Sequence, residues 1–408
     1  MGSIWTQPAR PIATPFSAIR TWLPGPRPRW PNHGSWDPIE AAHLQGTTSM
    51  MTEANPRIVV IGAGIVGASI AYHLAGRGAQ VTIIDKGAPA AGATARSFAW
   101  INVSSALDVP YARLRDQALG EWHRLAAEIG PGLRLDWCGT LFATTDTSKT
   151  EQRVDIHAAW GFDIRKLERR EIEALEPGLV NPPSVTAIAA GEGAVDPVAA
   201  TVALVDRAQR AGAQVIPDGE VRRIDATDNR VSGVQLADRQ VPADIVVVAA
   251  GTEAPALCAP FGVDVPIHPS PGLIFRFETS GRLLNHVVVT SDMELRQVSD
   301  DQLLVGADYP DEAAGETVDG VARRVTRQLG TRLRGGETAT LTSVEVGVRP
   351  MPSDGFPIVG FSAKVDGLYL AAMHSGVTLA PAIGRFAATE IVGRTVVAAL
   401  DDYRPARF

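Results

Sequence analysis

The stretch Ile58-Val59-Val60-Ile61-Gly62-Ala63-Gly64-Ile65-Val66-Gly67 decides the fold of this 408-residue chain. Its first four residues form a short β-branched run, which is typical of a parallel strand buried on both faces. The glycines that follow form a Gly-x-Gly-x-x-Gly pattern at the start of a predicted helix. In such a turn the first glycine permits the bend, the second lets the backbone approach a pyrophosphate, and the third lets the helix pack on the strand. The pattern predicts a dinucleotide site formed by Gly62, Ala63, Gly64, Ile65, Val66 and Gly67.

The residues after this turn complete a nucleotide-binding unit. The predicted helix at residues 66–77 is followed by a strand at residues 80–84, which ends at Asp85. A carboxylate there accepts hydrogen bonds from adenosine ribose hydroxyls and repels a 2′-phosphate, which disfavours NADP. The motif alone leaves FAD and NAD open. The small-residue loop at residues 92–97 favours FAD, because small side chains let the arm of a longer cofactor pass.

The pattern along the rest of the chain indicates two interleaved domains. Segments typical of a nucleotide-binding domain lie near residues 57–100, 196–251 and 342–398. Strand-rich segments lie between them. Each of the two domains is therefore predicted to be built from discontinuous pieces.

Two later helices have distinct predicted starts. Asp196 and Pro197 form a helix N-terminus, with Asp as the cap and Pro at the first helical position. The buried face of that helix is predicted to carry Val198, Val202 and Val205. Near the C-terminus, a strand at residues 368–371 leads to His374, and a helix is predicted to begin near Pro381.

Composition excludes several classes of protein. Thirty-eight basic and 45 acidic residues give a net charge of −7, whereas a protein that holds nucleic acid through phosphate contacts normally has a basic excess, so no nucleic-acid partner is expected. Cys138 and Cys258 form no Cys-x-x-Cys motif and no Cys/His cluster, so neither a metal site nor a disulfide framework is expected. This cysteine usage fits a cytoplasmic location. No stretch supplies the ~20 mostly apolar residues of a membrane-spanning helix.

Residues 1–55 differ from the rest of the chain. They are rich in Pro, Arg, Trp, Ser and Thr and show no helical or strand period. We interpret them as a disordered extension, or as the product of a start site placed too far upstream, since Met50 and Met51 precede the first strand. A functional arm and a transit peptide are the alternatives.

Arg349 and His374 are the candidate catalytic residues. A guanidinium is suited to bidentate binding of a planar carboxylate, although a lone Arg is more often part of a structural salt bridge. His374 lies between a strand and a helix start, where the helix dipole favours an anion. A core histidine is the alternative reading of that residue.

The motifs together resemble the D-amino acid oxidase family of FAD-dependent oxidoreductases, which includes glycine oxidase and sarcosine oxidase. The resemblance covers roughly residues 56–398 and rests on residues 62–85, 92–102 and 243–252 and on a C-terminal block. That block reads Gly347-Val348-Arg349-Pro350, Asp354-Gly355-Phe356-Pro357 and His374-Ser375-Gly376-Val377-Thr378-Leu379-Ala380-Pro381.

The resemblance implies an α/β fold with two discontinuous domains. A Rossmann-like FAD-binding domain of the glutathione-reductase type would comprise residues 56–105, 190–264 and 342–408. A strand-rich α+β substrate domain would comprise residues 106–189 and 265–341. FAD would be bound non-covalently, because no cysteine lies near the C-terminal block.

The resemblance also implies residue roles. Ile65 and Val66 would donate backbone N–H groups to the pyrophosphate, and Arg349 would anchor a substrate carboxylate. The other residues implied to contact FAD are Asp85, Lys86, Ala93, Thr94, Phe98, Ala99, Trp100, Val221, Gly251, His374, Ser375, Gly376, Val377, Thr378 and Leu379.

The implied reaction is oxidation of the C–N bond of a small amino acid or N-alkyl amino acid, of the glycine, D-amino acid or sarcosine type. Hydride would pass to flavin N5, the imine product would hydrolyse, and O₂ or another acceptor would take the electrons. One alternative keeps the fold but changes the substrate to a 2-hydroxy acid or a secondary amine without a carboxylate. Another is an FAD-binding partner domain of an RNA-modifying system. The sequence leaves the oligomeric state open, a homo-oligomer included.

Overall fold

The computed structural model describes residues 56–106, 108–144 and 146–408, so the predicted extension at residues 1–55 lies outside the described residues. None of the helices in those ranges combines the length and apolar character needed to cross a membrane. The helices are α1 (Ile65–Ala75), α2 (Val109–Ile129), α3 (Thr147–Ala159), α4 (Arg169–Leu175), α5 (Pro197–Arg210), α6 (Ala254–Cys258), α7 (Val318–Arg332) and α8 (Gly376–Ile391). The strands are β1 (Arg57–Ile61), β2 (Gln80–Ile84), β3 (Trp100–Ile101), β4 (Leu135–Asp136), β5 (Thr140–Phe142), β6 (Arg165–Glu168), β7 (Val185–Ala189), β8 (Gly193–Val195), β9 (Gln214–Ile216), β10 (Arg223–Thr227), β11 (Arg230–Gln235), β12 (Gln240–Pro242), β13 (Ile245–Val248), β14 (Ile267–Glu278), β15 (Val287–Val289), β16 (Glu294–Ser299), β17 (Gln302–Asp308), β18 (Thr340–Pro352), β19 (Ile358–Phe361) and β20 (Leu368–Ala372).

Six strands form a mostly parallel sheet in the order β19-β20-β13-β1-β2-β9. Only β19 runs antiparallel to its neighbour. Alternate residues of β1 enter different cores: Ile58 and Val60 pack with α1, α5 and α8, whereas Val59 and Ile61 pack with the small antiparallel sheet β10-β11-β12. Because both faces are covered, β1 has a continuous apolar sequence rather than an alternating one. The predicted buried strand is confirmed.

Eight strands form a second sheet in the order β18-β14-β17-β16-β15-β5-β7-β6. Every neighbouring pair is antiparallel except β15 with β5. Helix α7 covers one face, where Val321 and Val325 pack with Leu273 and Phe275 of β14. The opposite face packs partly against Phe98. The fold is mixed α/β, and the division into two discontinuous domains stays a prediction.

Helix α5 begins as predicted but buries a different face. The Asp196 side chain accepts hydrogen bonds from the backbone N–H groups of Val198 and Ala199, so it caps the helix. The prediction was wrong for Val198 and Val202, which are 39% and 49% exposed. The buried residues of α5 include Ala200 and Ala208, whose small side chains let α5 approach α1 closely. The buried stripe runs through Ala200, Leu204 and Ala208, and of the three predicted valines Val205 alone lies on it, at 5% exposed.

Helix α8 begins five residues earlier than predicted, at Gly376, and Pro381 lies inside it. A proline lacks the N–H that would bond to the carbonyl four residues before it, here that of Val377. The indole Nε1 of Trp122 in α2 donates instead, at 3.1 Å from both Val377 O and Thr378 O. This donor from a distant helix makes the proline compatible with α8.

Candidate functional site

Four of the predicted site segments follow strands of the parallel sheet at one edge. Gly62 follows β1, Asp85 follows β2, and His374 comes two residues after β20. Gly251 comes three residues after β13. Because these strands are parallel, their carboxyl ends share an edge, and ligands of open α/β sheets bind outside this edge. The structure therefore brings these residues to the position where a dinucleotide is expected.

Two glycines of the turn are required by packing. Gly62 has φ +103°, and a Cβ added to it would lie 2.4 Å from Ala249 O. A Cβ added to Gly67 would lie 2.0 Å from Gly62 O, so α1 can approach β1 only without that side chain. Within a radius of 4 Å, a Cβ added to Gly64 would meet only Thr94 Oγ1, which lies 3.3 Å away. Gly62 and Gly67 thus have the conformational roles that the motif predicts, and Gly64 keeps a more open face.

Asp85 is tied to the glycine turn by hydrogen bonds from the backbone. Its Oδ2 accepts a hydrogen bond from Ala63 N at 2.6 Å, and its Oδ1 accepts one from Gly87 N at 2.9 Å. Lys86 beside it is exposed and ion-paired with Glu253. The backbone O of Asp85 accepts from Gly219 N at 2.8 Å, which sets the segment of Val221 next to the end of β2.

The segment at residues 92–100, which begins with the loop predicted to pass the cofactor, is held near both of its ends. Thr94 is buried, and its Oγ1 accepts a hydrogen bond from Ile65 N in the first turn of α1, at 3.1 Å. At the other end, Thr378 Oγ1 donates to Trp100 O at 3.1 Å. Ala99 is buried with φ +58°, a left-handed conformation that L-residues with a Cβ rarely adopt. Ala93, in contrast, is exposed.

The N-terminus of α8 lies beside these groups. A Cβ on Gly376 would lie 3.2 Å from Val66 Cγ2, so the starts of α1 and α8 are adjacent. Ser375 has φ +58°, and Val377, Thr378 and Leu379 are buried in α8. The structure thus brings the two helix starts together, and each presents first-turn N–H groups without partners inside its own helix.

His374 is held neutral beside two cations. It is half-buried, and desolvation, together with Arg349 and Arg115, lowers the pKa of His374 to about 3. Its Nδ1 lies 3.3 Å from Ser375 Oγ, which also accepts a hydrogen bond from Arg115 Nη1 at 3.0 Å. Arg115 Nη2 donates to the side-chain Oδ1 of Asn102 at 2.6 Å, and Arg115 Nε donates to the backbone O of Asn102 at 2.9 Å. Sequence analysis missed Arg115, because its position on the buried side of α2 becomes visible only when the helices pack.

Arg349 lies on a glycine-rich face of the second sheet. Its Nη2 donates to Ser270 Oγ at 2.9 Å and to Pro271 O at 3.2 Å. A Cβ on Gly272 would be 3.7 Å from Arg349 Cζ, so the guanidinium lies over that glycine. Gly347, on the same face, is packed against the backbone of Arg96, where an added Cβ would be 2.4 Å from Arg96 O. The sheet thereby contacts the loop predicted to pass the cofactor.

Two acidic residues on this face were missed by sequence analysis. Glu294 in β16 pairs with Gly306 in β17, and Asp308 lies two residues further along β17. Burial raises the pKa of Glu294 to about 7; Arg349 acts against that rise and Asp308 adds to it. Burial also raises the pKa of Asp308. One signal was present, since a glycine inside a strand, such as Gly306, often marks a close approach.

The arrangement fits FAD by the chemistry of its groups. The first turn of α1 offers backbone N–H donors at the open face of Gly64, a form suited to a pyrophosphate. Asp85 offers acceptor oxygens for ribose hydroxyls at the end of the next strand. The direct contacts of the predicted residues with FAD stay predictions.

Cys138 and Cys258 are free thiols whose pKa values burial raises, to about 11 and about 12.

Comparisons with known proteins agree with this geometry. The chain matches the protein-family model DAO, FAD dependent oxidoreductase, over residues 57–390. A glycine oxidase from Bacillus licheniformis is 27% identical over 350 residues, which cover 83% of this chain and 93% of that protein. A D-amino acid dehydrogenase from Sinorhizobium medicae is 27% identical over 425 residues, which cover 86% of this chain and 100% of that protein. The solved structure of an iminodiacetate oxidase from Chelativorans sp. BNC1 has a TM-score of 0.76 at 28% identity, covering 86% of this chain and 99% of that one.

Proposed function

The chain belongs to the DAO family of FAD-dependent oxidoreductases, and we propose that it oxidises the C–N bond of a small amino acid or N-alkyl amino acid. The family match confirms the predicted FAD cofactor and the enzyme class. Glycine, D-amino acids and iminodiacetate, after which the three relatives are named, all combine an amine with a carboxylate. The observation that carries the proposal is the guanidinium of Arg349, held over Gly272 beside a neutral His374.

FAD would be held along the carboxyl edge of the parallel sheet. We assign this sheet to a Rossmann-like domain of the glutathione-reductase type, with the eight-stranded sheet in the substrate domain. The first turn of α1 would bind the pyrophosphate, and Asp85 would bind the adenosine ribose. When bound, FAD accepts a hydride, and with it two electrons, from the substrate carbon next to nitrogen.

Arg349 would bind the substrate carboxylate. Its hydrogen bonds to Ser270 and Pro271 fix the guanidinium plane before substrate arrives. Nε and Nη2 form these bonds, so Nη1 is the nitrogen that would donate to the carboxylate, without losing further side-chain freedom. Arg349 would therefore fix the position of the carboxylate, and with it the orientation of the carbon next to nitrogen.

His374 and the first turn of α8 would stabilise negative charge. The neutral imidazole adds no second cation to compete with Arg349 for the carboxylate. The helix N-terminus carries a partial positive charge and free N–H groups, which favour an anion nearby. Arg115 positions this region through Ser375 and Asn102.

Arg349→Lys tests the proposal. Lysine keeps the charge but lacks the planar guanidinium that Ser270 and Pro271 hold in place, so we expect kcat/KM for amino carboxylates to fall about 100-fold, mainly through KM. The matched control is Arg282→Lys in the loop between β14 and β15, where the exposed side chain pairs with Asp300; it should retain wild-type kinetics. Assays use O₂ and, separately, an artificial electron acceptor. Turnover of 2-hydroxy acids or carboxylate-free amines, unaffected by Arg349→Lys, would refute the proposal.

A further inference from the structure

The Glu294 carboxylate is a half-buried acid without a protein partner among the described residues, on the face that carries Arg349. Within the described residues no hydrogen bond or ion pair to its side chain is found, and the side chain is partly exposed. Partial desolvation disfavours the ionised carboxylate, and a donor or a cation beside it would offset that cost. The carboxylate oxygens are therefore open to a ligand group.

The strand register places this carboxylate and the Arg349 guanidinium on the same side of the sheet. Opposite residues of an antiparallel ladder project to one face, and so do residues two apart in a strand. Arg349 is opposite Ser270 in β14, and Gly272, two residues on, is opposite Asp308 in β17. Asp308 is two residues from Gly306, which is opposite Glu294. These strand pairings therefore place the side chains of Arg349, Asp308 and Glu294 on one face of the sheet.

The glycines set the spacing between the two charged groups. The guanidinium of Arg349 lies over Gly272, and Oε2 of Glu294 lies over Gly306, where an added Cβ would be 3.1 Å away. Gly272 and Gly306 are diagonal neighbours, which in an antiparallel pair are about 7–8 Å apart. An α-amino carboxylate with a hydrogen bond of about 2.8 Å at each end spans such a gap. A substrate whose cation sits at the end of a long side chain would not.

We propose that Glu294 binds the amine nitrogen of the substrate and accepts a proton from it, while Arg349 holds the carboxylate. This inference rests on the proposed function and adds the group that recognises the amine. In the step, an N–H bond of the substrate ammonium breaks, its electron pair stays on nitrogen, and an O–H bond forms on Glu294. No electrons leave the substrate until the following C–H cleavage, for which FAD is the oxidant, and the proton then passes to solvent.

The surroundings of Glu294 suit a proton acceptor near neutral pH. Burial and Asp308 raise the pKa of Glu294, and Arg349 limits the rise, so that it lies at about 7. Arg296, two residues along the same strand, is occupied by the carbonyls of Phe98 and Val195. An acceptor with a pKa near the working pH combines an ionised population with enough basicity to take the proton.

Glu294→Gln is the test, with Glu278→Gln at the exposed end of β14 as the matched control. The probes are glycine, D-alanine and sarcosine, with acetate and propionate as acids that lack the amine. At pH 7 we expect Glu294→Gln to lower kcat/KM for the reactive probe about 100-fold. Dissociation constants of acetate and propionate, measured from perturbation of the flavin spectrum, should change less than twofold.

The pH profile separates proton acceptance from a structural role. The wild-type kcat/KM should rise through pH 7 and level off, because only ionised Glu294 accepts the proton. In Glu294→Gln it should keep rising with pH, since only substrate that is already unprotonated reacts. An unchanged profile, or an equal loss of acetate binding, would overturn the inference. If Arg349→Lys leaves acetate binding intact, the proposed function is refuted instead. If Glu294→Gln does not fold, Glu294→Asp must lower kcat/KM while leaving acetate binding unchanged.

Discussion

Replacing Gly67 by Ala tests the packing of the turn that forms the expected pyrophosphate site. The added Cβ would lie 2.0 Å from Gly62 O and 3.3 Å from Ala249 Cβ. Non-bonded carbon contacts settle at about 3.5–4.0 Å, so α1 must move by more than about 1 Å. Overpacking costs about 1–3 kcal/mol, and the upper end applies because the clash is with backbone. Alanine offsets about 1 kcal/mol through its better helix propensity, which leaves a net loss of about 2 kcal/mol.

The assay is urea unfolding of the FAD-free protein, followed by FAD titration. Gly120→Ala in α2 is the control, because beyond the adjoining backbone of its own helix no atom lies within 4 Å of the added Cβ, and the helix should gain about 0.5–1 kcal/mol. Gly67→Ala should unfold at lower urea than wild type and bind FAD more weakly, whereas Gly120→Ala should unfold at higher urea. If both variants gain stability equally, the packing argument is refuted.

Two further predictions concern buried polar groups. Trp122→Phe removes the donor that satisfies Val377 O in place of Pro381, and should lower the free energy of unfolding by about 1–3 kcal/mol; unchanged stability would contradict this role. Burial lowers the pKa of His73 to about 3, whereas its pKa in the unfolded chain is about 6.5. Below pH 6.5 the unfolded state therefore binds a proton that the folded state does not bind. The free energy of unfolding falls as the pH drops through this range. His73→Gln should flatten that fall by up to about 1.4 kcal/mol per pH unit between pH 6 and 4, and parallel curves for the two proteins would count against it.

Local chemistry explains which parts of the fold were predictable. The β-branched run of β1, the glycine turn and the acid at residue 85 each follow from their own residue types, and the structure has the strand, turn and helix where they were expected. Asp196 caps α5 for the same reason, since a cap needs only its own first turn. Function could be predicted to the level of cofactor and enzyme class because those local signals form one family pattern.

Non-local partners explain the parts that were not predictable. The start of α8 depends on the indole of Trp122, which lies in another helix. The relation of Glu294 to Arg349 depends on the order and register of four strands, β16, β17, β14 and β18. The spacing of residues along the sequence does not determine that strand order. The glycine at 306 marked a close approach without revealing what would approach.

The most direct test of the account is the visible spectrum of the purified protein during anaerobic titration. The account predicts a yellow protein whose flavin absorbance bleaches on addition of an amino carboxylate such as glycine, D-alanine or sarcosine. Arg349→Lys should need far more of the same compound for the same bleaching. A yellow protein that bleaches with 2-hydroxy acids or with amines lacking a carboxylate, and with none of the amino carboxylates, would contradict the central claim.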